Sequence, residues 1–415
     1  MKILFVSCTM PPEGTATSSI IKKLMDQLVK KHEIEGLTFK NKISDSDFYL
    51  VDNIPIYRAN YVRNYGYKSQ TISDYLFKIK RKIIDSFYNN QYPFREYATR
   101  KLVQMLYKID AAQSYDAIIS VAAFYDSVEA VLRYKKKVKG KAHYFFYQVD
   151  PLEENEAFEY IDRQWLSNYE KKIYSSFHYI FSTREIIELK KGKNWNLNNA
   201  MVLNYPCVDF RLYDSVRQEQ DNQIRCVYAG QLNEKIRDGT FILNLFLHLD
   251  IPSFSLYIMG SGQEELLSEI REKSKNNWLH ILGEKTDTEC NEVLSSADFL
   301  LIIGNNTMNQ VPSKIFSYRS FGIPIIATCK SEDCPSIKYL EEIPNALIIN
   351  EQSEDLSKLS NKVNTFIKEN LHSRLSLSEV KRINFEYTPF FVSEQMINKI
   401  EFIISSDKKE MNYFG

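Results

Sequence analysis

The chain opens on an apolar run, Lys2 to Ser7 (KILFVS), followed by a Pro-, Gly- and Thr-rich loop from Thr9 to Thr17. Beyond the loop Ile20, Ile21, Leu24 and Leu28 recur at the spacing of one helical face. Strand, loop and helix in that order form the opening unit of a doubly wound sheet. Apolar runs near 54–59, 116–121, 142–148 and 178–183 read as further strands, and 71–88, 94–109, 124–137 and 156–175 read as helices. The alternation breaks over 206–223, a stretch rich in charged and polar residues. A second alternation then starts at IRCVYAG (224–230). It predicts strands at 224–229, 254–259, 279–282, 298–303 and 323–327, with helices at about 239–249, 263–274, 288–296 and 313–321.

This pattern divides the chain into an N-terminal α/β domain over 1–205, a linker over 206–223, a C-terminal α/β domain over 224–385, and a terminal helix over 386–415 able to pack back on the first domain. At 415 residues the chain exceeds one ordinary core. Its 44% apolar and 26% charged residues are those of a soluble globular protein, and 27 Tyr and 25 Phe spread without a repeat read as packing.

Six cysteines, Cys8, Cys207, Cys226, Cys290, Cys329 and Cys334, show no paired metal-ligand spacing and read as reduced thiols. The N-terminal apolar run is too short for a signal peptide, and no stretch reaches membrane-spanning length, so a cytoplasmic location is expected. Net charge is zero, yet residues 1–205 hold 31 Lys and Arg against 23 Asp and Glu, leaving 22 against 30 for the rest. The basic excess includes Lys78, Lys80, Arg81 and Lys82, and again Lys135, Lys136, Lys137, Lys139 and Lys141. It suits an anionic membrane surface or acceptor, reached from a peripheral position on the inner membrane face. Nucleic acid is not expected, because no binding motif accompanies the charge.

Several chemistries are excluded by missing motifs. The first loop has Gly14 but no GxGxxG, which argues against nicotinamide and flavin enzymes. There is no GxxxxGK[ST], no GxSxG and no HExxH. What remains is the segment Asn309 to Thr328, NQVPSKIFSYRSFGIPIIAT, a turn, helix, glycine stop and apolar strand in succession. Ser313 and Lys314 would lie at the first helical turn, where free N–H groups favour an anion. The turn Gly260-Ser261-Gly262 after strand 254–259 ends a strand and starts a helix in the same way.

YAGQLNEKIRDG after the linker, LYIMGSG about 30 residues on, and DFLLIIGNNTMNQVPSKIFSYRSFGIPII together resemble the C-terminal domain of GT-B glycosyltransferases. The nearest group is the large retaining, nucleotide-sugar-dependent family that builds bacterial surface polysaccharides. The resemblance is strong over 224–328 and looser over 1–40 and 142–206. It implies two Rossmann-like, doubly wound domains facing a cleft, with the donor on the C-terminal domain and the acceptor on the N-terminal one. It also implies a hexosyltransferase-like enzyme, moving a sugar with retention from a UDP- or GDP-linked donor to a glycan or lipid-linked acceptor. No metal and no further cofactor are implied.

Carried onto this chain, the resemblance puts the diphosphate against Lys235 or Arg237, with Gly260 and Gly262 in the neighbouring loop and Val311, Pro312, Ser313 and Lys314 in the later turn. The family's paired glutamates, with seven residues between them, fall on Asn309 and Ser317. Asn309 can still bond a sugar hydroxyl, and Ser317 can do so at shorter reach. On the N-terminal side Gly14 allows a close backbone approach, Thr15 and Thr17 offer hydroxyls, and Thr17 or Ser18 could instead cap the next helix. Asp150 and Gln148 are candidates for acceptor orientation or proton handling, with Arg184 and Asn204 completing the set. Alternatives are an inactive relative serving as a partner protein, motivated by Ser317, and a nucleotide-sugar epimerase.

Overall fold

The computed structural model describes residues 1–62, 79, 92–122, 124–138, 140, 142–215, 223–274, 277–306, 310–352 and 355–413. Apart from Ile79, the helix expected over 71–88 lies outside the described residues, as do Lys78, Lys80, Arg81, Lys82, Lys139 and Lys141. The chain divides into two compact units, Met1–Pro206 with Pro389–Gly415, and Cys207–Thr388.

The first unit holds an eight-stranded sheet of β1 (Lys2–Ser7), β2 (Glu33–Lys40), β3 (Phe48–Val51), β4 (Ile54–Val62), β5 (Ala117–Ala122), β6 (His143–Gln148), β7 (Tyr179–Ser182) and β8 (Ala200–Val202). Their spatial order is β3-β4-β2-β1-β5-β6-β7-β8, and only the edge strand β3 runs antiparallel to its neighbour. Every residue of β5 and β6 is buried, as expected where helices cover both faces of a parallel sheet. β2 escaped the apolar pattern because it carries Glu33 and Glu35. Glu35 is nonetheless buried, its carboxylate 3.1 Å from the Lys2 ammonium and accepting the Gln113 amide at 2.7 Å. The helix expected from 156 starts instead at Arg163, because the Asp162 carboxylate accepts the Trp165 N–H at 2.8 Å and fixes the first turn there.

The C-terminal helix Pro389–Tyr413 belongs to this first unit. Glu394 meets Lys31 at 2.8 Å, Asp407 meets the His143 ring at 2.9 Å, and the Lys399 ammonium sits 4.4 Å from the Tyr179 ring centre.

The second unit holds an all-parallel sheet of β9 (Ile224–Ala229), β10 (Phe254–Met259), β11 (Leu279–Gly283), β12 (Phe299–Ile302), β13 (Ile325–Cys329) and β14 (Ala346–Asn350), in the order β11-β10-β9-β12-β13-β14. β12 and β13 are buried throughout. Residues 207–215, expected as a linker, pack on this unit. The Val208 N–H donates to the Tyr387 carbonyl at 3.0 Å, the Asp209 N–H to Ser320 Oγ at 3.0 Å, and the Tyr213 hydroxyl to the Leu375 carbonyl at 3.0 Å. The fold is α/β with two parallel-sheet Rossmann-like units.

Candidate active site

In the second sheet the winding reverses between β9 and β12, so the loops leaving their carboxyl ends part and open a crevice. The loop after β9 is first fastened to the loop after β10. Gly230 N–H donates to the Met259 carbonyl at 2.7 Å, and Leu232 N–H to the Ser261 carbonyl at 2.9 Å. This closeness requires Gly260 and Gly262, at φ 129° and 103°. A Cβ on either would sit 2.2 Å from the Gly230 oxygen or 1.9 Å from the Leu232 oxygen.

Past that seam the chain folds into a tight turn, in which Asn233 and Arg237 exchange backbone hydrogen bonds of 2.9 and 2.6 Å. The Arg237 guanidinium donates from Nε and Nη2 to Asn305 Oδ1, at 3.2 and 2.9 Å, and also reaches the Tyr228 hydroxyl. Asn305 in turn donates to the Gln310 carbonyl at 3.1 Å, and Asn306 N–H bonds the Ile236 carbonyl at 2.7 Å. Asn305, which sequence reasoning missed, therefore aims the arginine. Its signal was present, in the GNN that follows an apolar strand. Lys235 stands exposed at the tip of the turn.

Lys314 reaches the same place from the other side. Its side chain crosses Gly230 so closely that a Cβ there would lie 2.8 Å from Lys314 Cε. Burial lowers its ammonium below the usual lysine range; the Arg237 charge adds to this, and Cys290 and Asp287 oppose it. Among the described residues neither Arg237 nor Lys314 forms an ion pair with a carboxylate. Two neighbouring cations, one of them poorly hydrated, thus face a crevice without an ion pair among the described residues, Asp287 acting on Lys314 only from beyond ion-pair distance.

The helix that carries Lys314 is shorter than expected. It spans Lys314–Tyr318, and Ser313 precedes it without a side-chain cap, so a long macrodipole is not available and side-chain charge dominates. The turn is held from behind by Tyr318, whose hydroxyl accepts the Ala229 N–H at 3.0 Å, and by the buried Ile315 and Phe316. Val311 and Pro312 are buried beside it, and Ser313 is half-buried. The Ser317 hydroxyl turns back to the Lys314 carbonyl at 3.4 Å. Asn309 lies outside the described residues.

In the first unit the expected residues fare differently. Gln148 is fully buried and spends its amide internally, donating to Glu170 at 2.6 Å and Tyr125 at 3.2 Å and accepting from Tyr174 at 2.7 Å. It is a core residue and offers nothing to an acceptor. Asp150, two residues on, is half-buried, and burial pushes its carboxyl up to about 6. Gly14 is exposed with open space around it and needs no special backbone, and the cap of the first helix is Thr15, which accepts the Ser18 N–H at 3.1 Å. Thr17 and Ser18 are buried instead. Arg184 opens the helix Arg184–Gly192 after β7, and Asn204 follows β8.

Beneath Gln148 lies a cluster of charge. Glu153, Glu154 and Glu170 are, among the described residues, the one carboxylate trio close enough to share an ion. The fully buried Lys190 ammonium already fills that position, 2.7 Å from Glu170, 3.1 Å from Glu154 and 3.7 Å from Glu153. In the Asp45-Ser46-Asp47 stretch, Asp47 pairs with Lys40 at 2.7 Å and Asp45 accepts the Asn41 and Lys42 N–H groups. No helix among the described residues is long and apolar enough to cross a membrane.

No family model matches the chain, and no curated protein matches it. Solved structures do. A sucrose-phosphate synthase from Thermosynechococcus elongatus superposes with a TM-score of 0.70 at 12% identity, over 98% of this chain and 100% of that one. The lipopolysaccharide outer core galactosyltransferase WaaB gives a TM-score of 0.63 at 14% identity, over 97% and 99% of the two chains. HepE from Anabaena, solved in complex with UDP and glucose, gives 0.62 at 12% identity, over 97% and 99%. These neighbours are GT-B glycosyltransferases, and the chain has the GT-B fold.

Proposed function

We propose that the chain is a glycosyltransferase that moves a sugar, with retention, from a nucleoside diphosphate donor to a glycan or lipid-linked acceptor. The observation that carries this reading is the pair Arg237 and Lys314, convergent at the switch point of the second sheet and ion-paired with no described carboxylate. Such a pair is costly in the empty protein and is relieved by a dianionic ligand. In sugar transfer, negative charge develops on the departing diphosphate, and fixed cations in a poorly hydrated crevice stabilise that charge more than they stabilise the intact donor. Lysine and arginine here take the part a metal ion plays in other sugar transferases, and the departing phosphate accepts the acceptor's proton.

The neighbour solved with UDP and glucose, and a trehalose-6-phosphate synthase structure bound to UDP-2-fluoro glucose, support a nucleotide sugar as substrate. The basic excess of residues 1–205 supports an acceptor presented at an anionic membrane surface. Asp150, with a carboxyl poised near 6, is the first unit's candidate for orienting the acceptor hydroxyl. Calorimetry with UDP, GDP and their sugars tests the donor claim: at least one nucleotide must bind, and Lys314→Ala must weaken it. Failure of every nucleotide sugar to bind would overturn the reading. The Ser317 hydroxyl, engaged with its own helix, favours a second reading of an inactive relative that stabilises a partner enzyme. Binding without turnover on any glycan or lipid-linked acceptor would select it.

A further inference from the structure

At the amino ends of β9, β10 and β11, the opposite end of the strands from the cation pair, the second unit holds a cavity of about 760 Å³. Strands of six residues set it roughly 20 Å from the crevice described above. Its size is that of a small-ligand site, about 300–1,000 Å³. Part of the lining is aromatic: Phe246, Phe254 and Trp278 brace one another at ring-centre distances of 5.3, 6.3 and 6.4 Å. The polar lining is fixed in place as well. The Gln223 amide donates to Ser255 Oγ at 2.8 Å, and the His280 ring stacks on Tyr257 at 4.6 Å. Burial, with the Arg271 charge adding to it, lowers the His280 imidazole below the usual histidine range, so at neutral pH one ring nitrogen donates and the other accepts. Ser253 and Asn277 lead the chain into β10 and β11 with left-handed backbones, φ 61° and 45°, and a serine held that way stores strain of the kind that collects at ligand sites.

The charge of the wall narrows the ligand. Among the described residues no carboxylate lines the cavity, and its lysine, Lys273, is already paired with Glu269 at 2.5 Å. A phosphate therefore finds no free cation there. A lipid chain would leave the Gln223 and Asn277 amides without partners. Amides, hydroxyls and a neutral imidazole each donate and accept, as every sugar hydroxyl does, while aromatic rings pack against the apolar C–H face of a sugar ring. We propose that this cavity is a second, non-catalytic carbohydrate site, which holds neutral sugar units of a glycan chain while transfer proceeds at the other end of the strands. The proposal rests on the reading of the acceptor as a glycan. A chain held here stays at high effective concentration beside the enzyme, so the site favours long acceptors over short ones.

Photo-crosslinking of the full chain tests it without a donor. Neutral oligosaccharides of glucose, galactose, mannose and N-acetylhexosamines, each carrying a diazirine, are photolysed with the native protein, and the adducts are mapped by peptide mass spectrometry. At least one should label the 246–255 stretch or Asn277–His280, and excess UDP should leave that label unchanged. Asn277→Gly removes an exposed amide while glycine accepts the left-handed backbone, so the fold is kept and the label should fall about two- to tenfold. His280→Ala should act in the same direction. Adducts confined to the first unit, no adduct from any sugar, or preferential capture of a fatty-acid diazirine at these residues would overturn the proposal. Calorimetry with UDP and GDP keeps the two readings apart. Nucleotide binding without sugar adducts removes this site alone, whereas sugar adducts here without nucleotide binding remove the transferase reading and leave a carbohydrate site.

Discussion

Each unit of the molecule has a point where its sheet reverses winding, and the two points treat positive charge in opposite ways. In the first sheet the reversal lies between β1 and β5, and an arginine stands there too. Arg95 meets the buried Asp126 through Nε at 3.2 Å and Nη2 at 2.6 Å, while its own backbone N–H donates to the other carboxylate oxygen at 2.5 Å. The Cys8 thiol adds a contact at 3.6 Å, and the guanidinium rests 5.2 Å from the Tyr61 ring centre. That cation is spent on the fold. At the second reversal Arg237 meets the Asn305 amide and the Tyr228 phenol, and among the described residues neither it nor Lys314 forms an ion pair with a carboxylate. Where evolution leaves buried charge unbalanced, the balancing charge comes from outside. The difference gives the first crevice a structural cation and fits the anion proposed for the second.

The sharpest way to break this comparison is to remove one cation from each point. Arg95→Met leaves the Asp126 carboxylate buried without its partner, and urea unfolding should show a loss of about 3–4 kcal/mol. Lys314→Ala removes a charge that the empty protein holds at a cost, so unfolding of the free protein should change little. Binding of the nucleotide diphosphate, read by calorimetry, should weaken by about 1.5–3 kcal/mol. If Lys314→Ala destabilised the free protein as much as Arg95→Met, the contrast between the two crevices would collapse.

The sequence held the second crevice more openly than the first. Parallel strands buried on both faces leave long apolar runs, so β9, β10, β12 and β13 were legible, and a lysine directly after Val-Pro-Ser marked one cation. Arg237 was visible as one of two basic residues in a loop. What chose between it and Lys235 was Asn305, 68 residues away, and such pairings are invisible until the loops are folded together. In the first unit the aromatic strand ending in Gln148 drew attention to a polar residue that in fact satisfies the core. Arg95 and Asp126 went unnoticed, because a bidentate pair across 31 residues leaves no local spacing to read. β2 was missed for a related reason: a buried glutamate disguised it as a polar stretch.

Asp150 sharpens the comparison from the acceptor side. Its carboxyl sits above the unfolded value, so the folded state holds the proton more tightly than the unfolded chain. Stability therefore falls as pH rises from the ordinary aspartate range to about 6, and the cost is fully present above it. Asp150→Asn should raise stability at pH 7 by about 1–2 kcal/mol and flatten that part of the pH–stability curve. If the charged carboxylate orients the acceptor, the same variant should lose turnover while keeping donor affinity. A variant that is no more stable at neutral pH, or that keeps full turnover, would mean that Asp150 only ends its strand in a turn before Pro151.

The smallest expected effect tests the comparison most directly, because it converts one crevice into the other. Asn305→Asp gives Arg237 the carboxylate that Arg95 already has. The gain in the free protein should be slight. The new oxygen that replaces the amide nitrogen faces the Gln310 carbonyl, which formerly received a hydrogen bond at 3.1 Å, and that repulsion offsets much of the new ion pair. Donor affinity should nevertheless fall by about 1 kcal/mol, since the diphosphate now competes with a fixed anion for the same guanidinium. The loss should be larger at low ionic strength than at high, because the added repulsion is screened by salt. Stronger nucleotide binding in Asn305→Asp would mean that Arg237 serves the fold as Arg95 does, and would leave Lys314 as the anion's single charged partner.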